Sequence, residues 1–349
     1  LHELSTSSVN ITNKLTCFFI FMSESTNLKL FQEIVHIYEN YSSQVAWSGA
    51  PEDLYTPIAY IMHQEGKKLR PAALLMIYNL WKDDLGKALG AAYGLELFHN
   101  FTLVHDDIMD DSTIRRGRET VYRKFGTNQA ILSGDAMLIE ACRLVYQSQL
   151  ESGIKGNLDL FLKTAMDVCE GQSLDMSFEK MEKVILSEYL NMIRLKTSVL
   201  LGCAFQMGAE LAHQSQEVCE KLYELGTTLG VGFQIHDDWL DFYGDQQLTG
   251  KVKGGDILKK KKSALILTAL DSMEEDQRQV LLKEYHEDHP GKIELIESRF
   301  SQLGIKEKVN EMYLAYKKRC FEMIENLPLN SLQKSRLNEF VILVLERTN

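Results

Sequence analysis

The residues with the most chemistry in this chain are Asp106, Asp107 and Asp110, in the stretch Phe98-His99-Asn100-Phe101-Thr102-Leu103-Val104-His105-Asp106-Asp107-Ile108-Met109-Asp110-Asp111. Apolar Leu95, Phe98, Leu103 and Met109 recur there among polar residues with no Gly or Pro between, which predicts a helix. On a helix Asp106 and Asp110 leave the same face one turn apart, about 6 Å from each other. Carboxylates that close repel. A hard divalent cation such as Mg²⁺, which takes oxygen ligands and keeps several waters, makes them half of a binding site. Arg115 and Arg116 follow, and a guanidinium offers a planar donor fork suited to phosphate. Acid, metal and arginine together point to a diphosphate.

One acidic run is usually a solvated helix face, but the pattern recurs. Gly232-Phe233-Gln234-Ile235-His236-Asp237-Asp238-Trp239-Leu240-Asp241 again sets two acids, Asp237 and Asp241, one turn apart. In both stretches the acids sit among large apolar side chains, unlike a solvated face. Two such helices facing each other across a cavity could hold several metal ions.

With these two motifs and Arg115-Arg116-Gly117, the chain resembles the trans-isoprenyl diphosphate synthases, from about residue 50 to the C-terminus. The resemblance implies an all-α helical bundle around a central cavity, a homodimer, and Mg²⁺ as cofactor, three ions with bound diphosphate. Asp106, Asp107, Asp110, Asp237 and Asp241 become the expected metal set. Gly66-Lys67-Lys68-Leu69-Arg70-Pro71 matches a motif that holds the diphosphate of isopentenyl diphosphate through Lys67 and Arg70, with Lys68 in place of the usual arginine. His99, two turns before Asp106, matches the third contact. By the same resemblance Arg115 serves the allylic diphosphate and Arg116 isopentenyl diphosphate, with Gly117 allowing a sharp turn.

Gly171-Gln172-Ser173-Leu174-Asp175 matches a further helix motif, so Gln172 is expected at the substrate. Lys196-Thr197 matches the pair that meets the allylic diphosphate and its leaving oxygen. Gln234 should face the same cavity. Lys251 matches a loop lysine, and Lys261 the basic residue after it, although Lys259 to Lys262 is a run of four and the sequence leaves open which one serves. The implied reaction is ionisation of an allylic diphosphate, attack by isopentenyl diphosphate, and proton loss to the released diphosphate, inside walls that include Phe98, Phe101 and Phe233. Phe101 and Thr102 are the expected chain-length residues. An aromatic at 101 with a small residue at 102 favours a twenty-carbon product over the fifteen-carbon product of a farnesyl diphosphate synthase. A class I terpene cyclase fits less well, because residues 237–245 read DDWLDFYGD and such an enzyme does not need Lys67, Arg70 and His99. A non-catalytic regulatory subunit usually loses acids from one motif, and both motifs are intact.

The rest of the chain agrees. No proline lies between Ala72 and His289, and the stretch is rich in Leu, Ala, Glu, Lys and Met, which favours a helical bundle. Gly86, Gly126, Gly153-Gly156 and Gly244 to Gly255 mark expected helix breaks. Of 349 residues 45% are hydrophobic, enough for a large core, and nothing resembling a linker divides them. The net charge of −11 argues against a nucleic-acid partner. Six scattered cysteines without metal spacing fit a reduced, cytoplasmic protein. Residues 1–26 stand apart: Leu15 to Met22 is apolar but too short to span a bilayer, and Met22 looks like a natural start. They are expected to be a non-native or disordered extension before one domain at 27–349.

Overall fold

The computed structural model describes residues 26–64, 66–245 and 253–346, with backbone only for 26–28. The expectation for residues 1–26 lies outside these apart from Thr26, which opens the first helix. The architecture is all-α, as the sequence predicts. Helix α1 spans Thr26–Gln44, α2 Glu52–Met62, α3 Leu69–Asn79 and α4 Gly86–Met109. A two-stranded hairpin follows, β1 at Ile114–Arg115 and β2 at Arg118–Glu119. Next come α5 Val121–Phe125, α6 Thr127–Ser152, α7 Asn157–Lys180 and α8 Leu186–Ile193. A π-helical turn, Arg194–Ser198, leads into α9 Val199–Leu211, and α10 spans Gln216–Tyr243. The C-terminal part holds α11 Gly255–Leu258, α12 Ala264–Asp271, α13 Glu275–His286, α14 Lys292–Leu303, α15 Ile305–Glu325 and α16 Ser331–Leu345. Helix boundaries fall at the expected glycines 86, 126, 153, 156 and 244.

Helix α9 is apolar on nearly every face and almost wholly buried, so it takes the centre of the bundle. Helices α3, α4, α7 and α10 pack around it, and α6 covers α4 from outside. Pro71 is tolerated in α3 because it falls in the first turn, where its missing N–H has no helical acceptor. Ser215 caps α10 through its side chain, and Asn330 with Gln333 forms a capping box on α16. Gln333 also donates to Leu80 O at 2.8 Å, which pins the C-terminal helix to the end of α3.

Two local features depart from plain α-helix, and both carry expected site residues. The hairpin turns on Arg116 at φ 51° and Gly117 at φ 74°, the pair of left-handed residues that a two-residue type I′ turn needs. The π turn presents Lys196 and Thr197. A Cβ on Gly171 of α7 would stand 2.3 Å from the Lys196 amide nitrogen, and one on Gly230 of α10 would stand 2.7 Å from Ser198 Cα. Two glycines from neighbouring helices thus let this widened turn sit between them. Such π turns are frequent at functional sites.

Candidate active site

The acidic end of α4 is as the sequence predicts. The Asp110 amide donates to Asp106 O at 2.8 Å, so the two acids stand one turn apart even though Asp110 already caps the helix. Burial and the charge of Asp106 push the Asp110 carboxyl above its ordinary range. Asp106 Oδ1 is buried and, among the described residues, accepts no hydrogen bond; Lys196 Nζ lies 3.5 Å away. Lys196 is also paired with Asp175 at 2.5 Å. Burial alone would lower the Lys196 ammonium, but the carboxylates of Asp106 and Asp175 outweigh it and raise it. Two hard oxygen donors one turn apart, one of them without a hydrogen bond, fit a divalent cation such as Mg²⁺. Among the described residues no three His, Cys, Asp or Glu side chains converge into a metal cluster by themselves.

Asp107 lies off this face. It is 1% exposed, and Arg115 grips it through Nε at 2.8 and 3.0 Å and through a second guanidinium nitrogen at 2.8 Å. Its position makes it the anchor of the arginine hairpin, which separates it from Asp106 and Asp110. Asp238, the corresponding middle acid on α10, is 3% exposed and accepts hydrogen bonds from Tyr189 of α8, from Gln234 at 3.2 Å and from the Ala264 amide of α12 at 2.8 Å. Burial and the charge of Asp256 raise its carboxyl to about 7, against those hydrogen bonds.

Two cavities adjoin here. The first, of about 610 Å³, is lined by Phe101, Thr102, His105 and Asp106 of α4, Gln172 and Met176 of α7, and the π turn. The second, of about 540 Å³, is lined among the described residues by the cations Lys67, Lys68, Arg70, Arg115 and Arg116 and by the carboxylate of Glu96. Arg70, His99, Thr197 and Phe233 line both, so they form the wall where the two meet. Arg70 donates to His99 Nε2 at 3.1 Å, and burial together with Arg70, Arg116 and Arg115 holds the imidazole well below its usual pKa, hence neutral. The Arg116 guanidinium closes over Gly66, where a Cβ would stand 3.1 Å from its Cζ.

The structure therefore brings together Lys67, Arg70, His99, Arg115, Arg116 and Thr197 around one cavity, and Phe101, Thr102, Asp106, Gln172, Lys196, Thr197 and Gln234 around the other. Arg115 stands beside Arg116 in the cationic cavity. Gln172 reaches across to Met109 Sδ at 3.7 Å. Phe98, an expected wall residue, is buried one layer back, its ring 5.5 Å from that of Phe101. Asp237 and Asp241 continue α10 about one and two turns past Gln234, and Asp241 accepts the Asp256 amide at 3.0 Å. Lys251 lies outside the described residues.

The lysine run sorts itself. Lys260 takes a left-handed backbone at φ 58° and pairs with Asp288 at 2.7 Å. Lys262 donates to Phe178 O and Met181 O at the end of α7, and Lys261 reaches Asp110 Oδ2 at 3.9 Å. Sequence reasoning missed Glu96, which is buried against Lys68 at 3.2 Å. Its spacing three residues before His99 was the available signal, since it shares that helix face. Asp175, which the motif match leaves without a role of its own, is the ion partner of Lys196.

Comparison with known proteins agrees with this geometry. Residues 51–303 match the polyprenyl synthetase family. A geranylgeranyl diphosphate synthase of Methanosarcina mazei is 42% identical over 222 residues, 63% of this chain and 68% of that protein. One from Saccharolobus solfataricus is 36% identical over 267 residues, 75% of this chain and 79% of that protein. The crystal structure of a geranylgeranyl pyrophosphate synthase superposes with a TM-score of 0.85 at 36% identity, covering 91% of this chain and 99% of that one. The chain belongs to the polyprenyl synthetase family, as a chain-elongating trans-isoprenyl diphosphate synthase.

Proposed function

We propose that this enzyme condenses isopentenyl diphosphate with an allylic diphosphate, in a Mg²⁺-dependent reaction, to give the twenty-carbon geranylgeranyl diphosphate. The junction of a cationic cavity with a largely apolar one carries this reading. The cationic cavity suits the diphosphate of isopentenyl diphosphate, held by Lys67, Arg70, Arg116 and neutral His99. The other takes the allylic chain, with its diphosphate at the Asp106 end. Bound Mg²⁺ supplies neutralisation of the leaving diphosphate. Lys196, fixed by Asp106 and Asp175, and Lys261 add positive charge at that end, where negative charge develops on ionisation. The walls below exclude water from the allylic cation. The metal set is Asp106 and Asp110 with Asp237 and Asp241; Asp107 acts through Arg115.

The expected length rests on Phe101, 8% exposed on the first cavity beside the small Thr102, and on the names of the relatives. Purified protein given isopentenyl diphosphate, Mg²⁺ and dimethylallyl, geranyl or farnesyl diphosphate should yield mainly twenty-carbon alcohol after dephosphorylation. Fifteen-carbon alcohol as the main product would make it a farnesyl diphosphate synthase, and no elongation at all would favour a silent regulatory subunit. Helices α6 and α7 leave Leu132, Ile139, Tyr146, Leu150, Leu162 and Met166 exposed, which supports a homodimer through this apolar face. A monomer at micromolar concentration in sedimentation would remove that part. Among the described residues no helix is long and apolar enough to cross a membrane, and a cytoplasmic location goes with this reading.

A further inference from the structure

We propose that His105 is a positioning residue for product length: it braces the Phe101 ring that ends the allylic cavity, and Gly134 of α6 sets where the imidazole stands. The inference rests on the proposed role of Phe101 as cavity floor. His105 and Phe101 are one turn apart on α4, and their rings meet edge-on, 4.8 Å between centroids. Phe101 in turn packs at a tilt against Phe98 at 5.5 Å, and Phe98 meets Phe161 of α7 edge-on at 5.2 Å. The column is closed at the bottom by buried aromatics and at the top by one imidazole, which itself lines the cavity.

That imidazole is held from the far side. Its Nε2 lies 3.3 Å from Ile131 O and 3.8 Å from Asp135 Oδ1, both on α6. Gly134 lies between these two residues, and a Cβ there would come 2.4 Å from Nε2 and 2.7 Å from Cδ2. The contact is with the far end of a side chain, so an added methyl displaces the ring and leaves the backbone in place. Displacement away from α6 carries the ring toward the cavity it lines, with Phe101 beside it. Gly134 itself is buried in the α4–α6 contact and is absent from the cavity wall. A methyl on one helix therefore narrows a substrate channel on another, through a single imidazole.

Three variants test this by chromatography of the dephosphorylated products, with thermal melts confirming that each is folded. His105→Ala frees the Phe101 ring, and the ratio of products longer than twenty carbons to twenty-carbon product should rise by about tenfold, the size of effect one methylene-sized change produces in a hydrophobic pocket. Gly134→Ala should act in the opposite sense, raising the share of fifteen-carbon product. In the double variant the Gly134 effect should vanish, giving the His105→Ala distribution, because no imidazole remains to be displaced. Phe101→Ala serves as the reference and should lengthen products. An unchanged distribution in His105→Ala while Phe101→Ala lengthens would overturn the brace and leave the floor in place. Unchanged products in Phe101→Ala would remove the floor and the brace with it. Gly134→Ala still shortening products without the imidazole would also overturn the proposal, and if His105→Ala fails to fold, an unchanged distribution in folded Gly134→Ala does so alone.

Discussion

The two acidic motifs read almost alike, yet the chain uses their middle acids in opposite ways. On α4, Asp107 is locked to the Arg115 guanidinium, so the motif carries its own arginine into the cationic cavity. On α10, Asp238 meets a phenol, an amide and a backbone N–H, and ties α8 and the start of α12 to the motif. The segment it tethers begins two residues beyond the lysine run that brings Lys261 to Asp110. One motif therefore positions the hairpin, and the other positions the segment that closes over the site. The surroundings also differ: α4 ends at the acids and runs back along an apolar cavity, while α10 continues past them to Tyr243.

If the outer acids of both motifs face a shared metal site, they should fail alike. Asp106→Ala or Asp237→Ala should each lower turnover by at least about 10²-fold in a steady-state assay with saturating Mg²⁺. Near-normal activity in either would break the symmetry. The lysine run separates the two regions next: Lys261→Ala should lower kcat about tenfold through lost charge beside the leaving diphosphate. Lys260→Ala, which breaks only the exposed pair with Asp288, should stay within about twofold. Equal losses would mean that the segment as a whole matters and the single lysine does not.

The middle acids give the smaller effects. Asp107→Asn unlocks Arg115 and with it the hairpin that carries Arg116, and should raise the KM for isopentenyl diphosphate several-fold, as initial-rate kinetics would show. Asp238 titrates at about 7, well above an ordinary carboxyl near 4. The folded protein keeps a proton there that the unfolded chain releases, so this residue weakens folding as pH rises from about 4 to about 7. Asp238→Asn should flatten that slope in melts of metal-free protein. A slope equal to that of the parent protein would show that Asp238 is ionised throughout.

Much of this was legible because the periodicities are local. The helix through Asp106 and the spacing to Asp110 rest on one or two turns of sequence, whereas the cluster of Lys67, Arg70 and His99, two stretches some thirty residues apart, is implied only by the family resemblance. What was not legible depends on neighbours distant in sequence. The π turn at Lys196 exists because Gly171 and Gly230 leave room on either side, and no pattern within Arg194–Ser198 announces it. The choice among Lys259 to Lys262 depends on a left-handed Lys260 and on acids carried by α4 and the chain before α14. The different fates of Asp107 and Asp238 depend on which partner stands opposite, an arginine eight residues on or a tyrosine 49 residues back.

The central claim is that the acidic motifs bind an allylic diphosphate through Mg²⁺, and calorimetry tests it most directly. A non-ionising thiolo analogue of farnesyl diphosphate, titrated into the protein, should bind at least about 10²-fold more tightly with Mg²⁺ than in chelator, and Asp106→Ala should erase the difference. Equal affinity with and without Mg²⁺ in the parent protein would contradict the account.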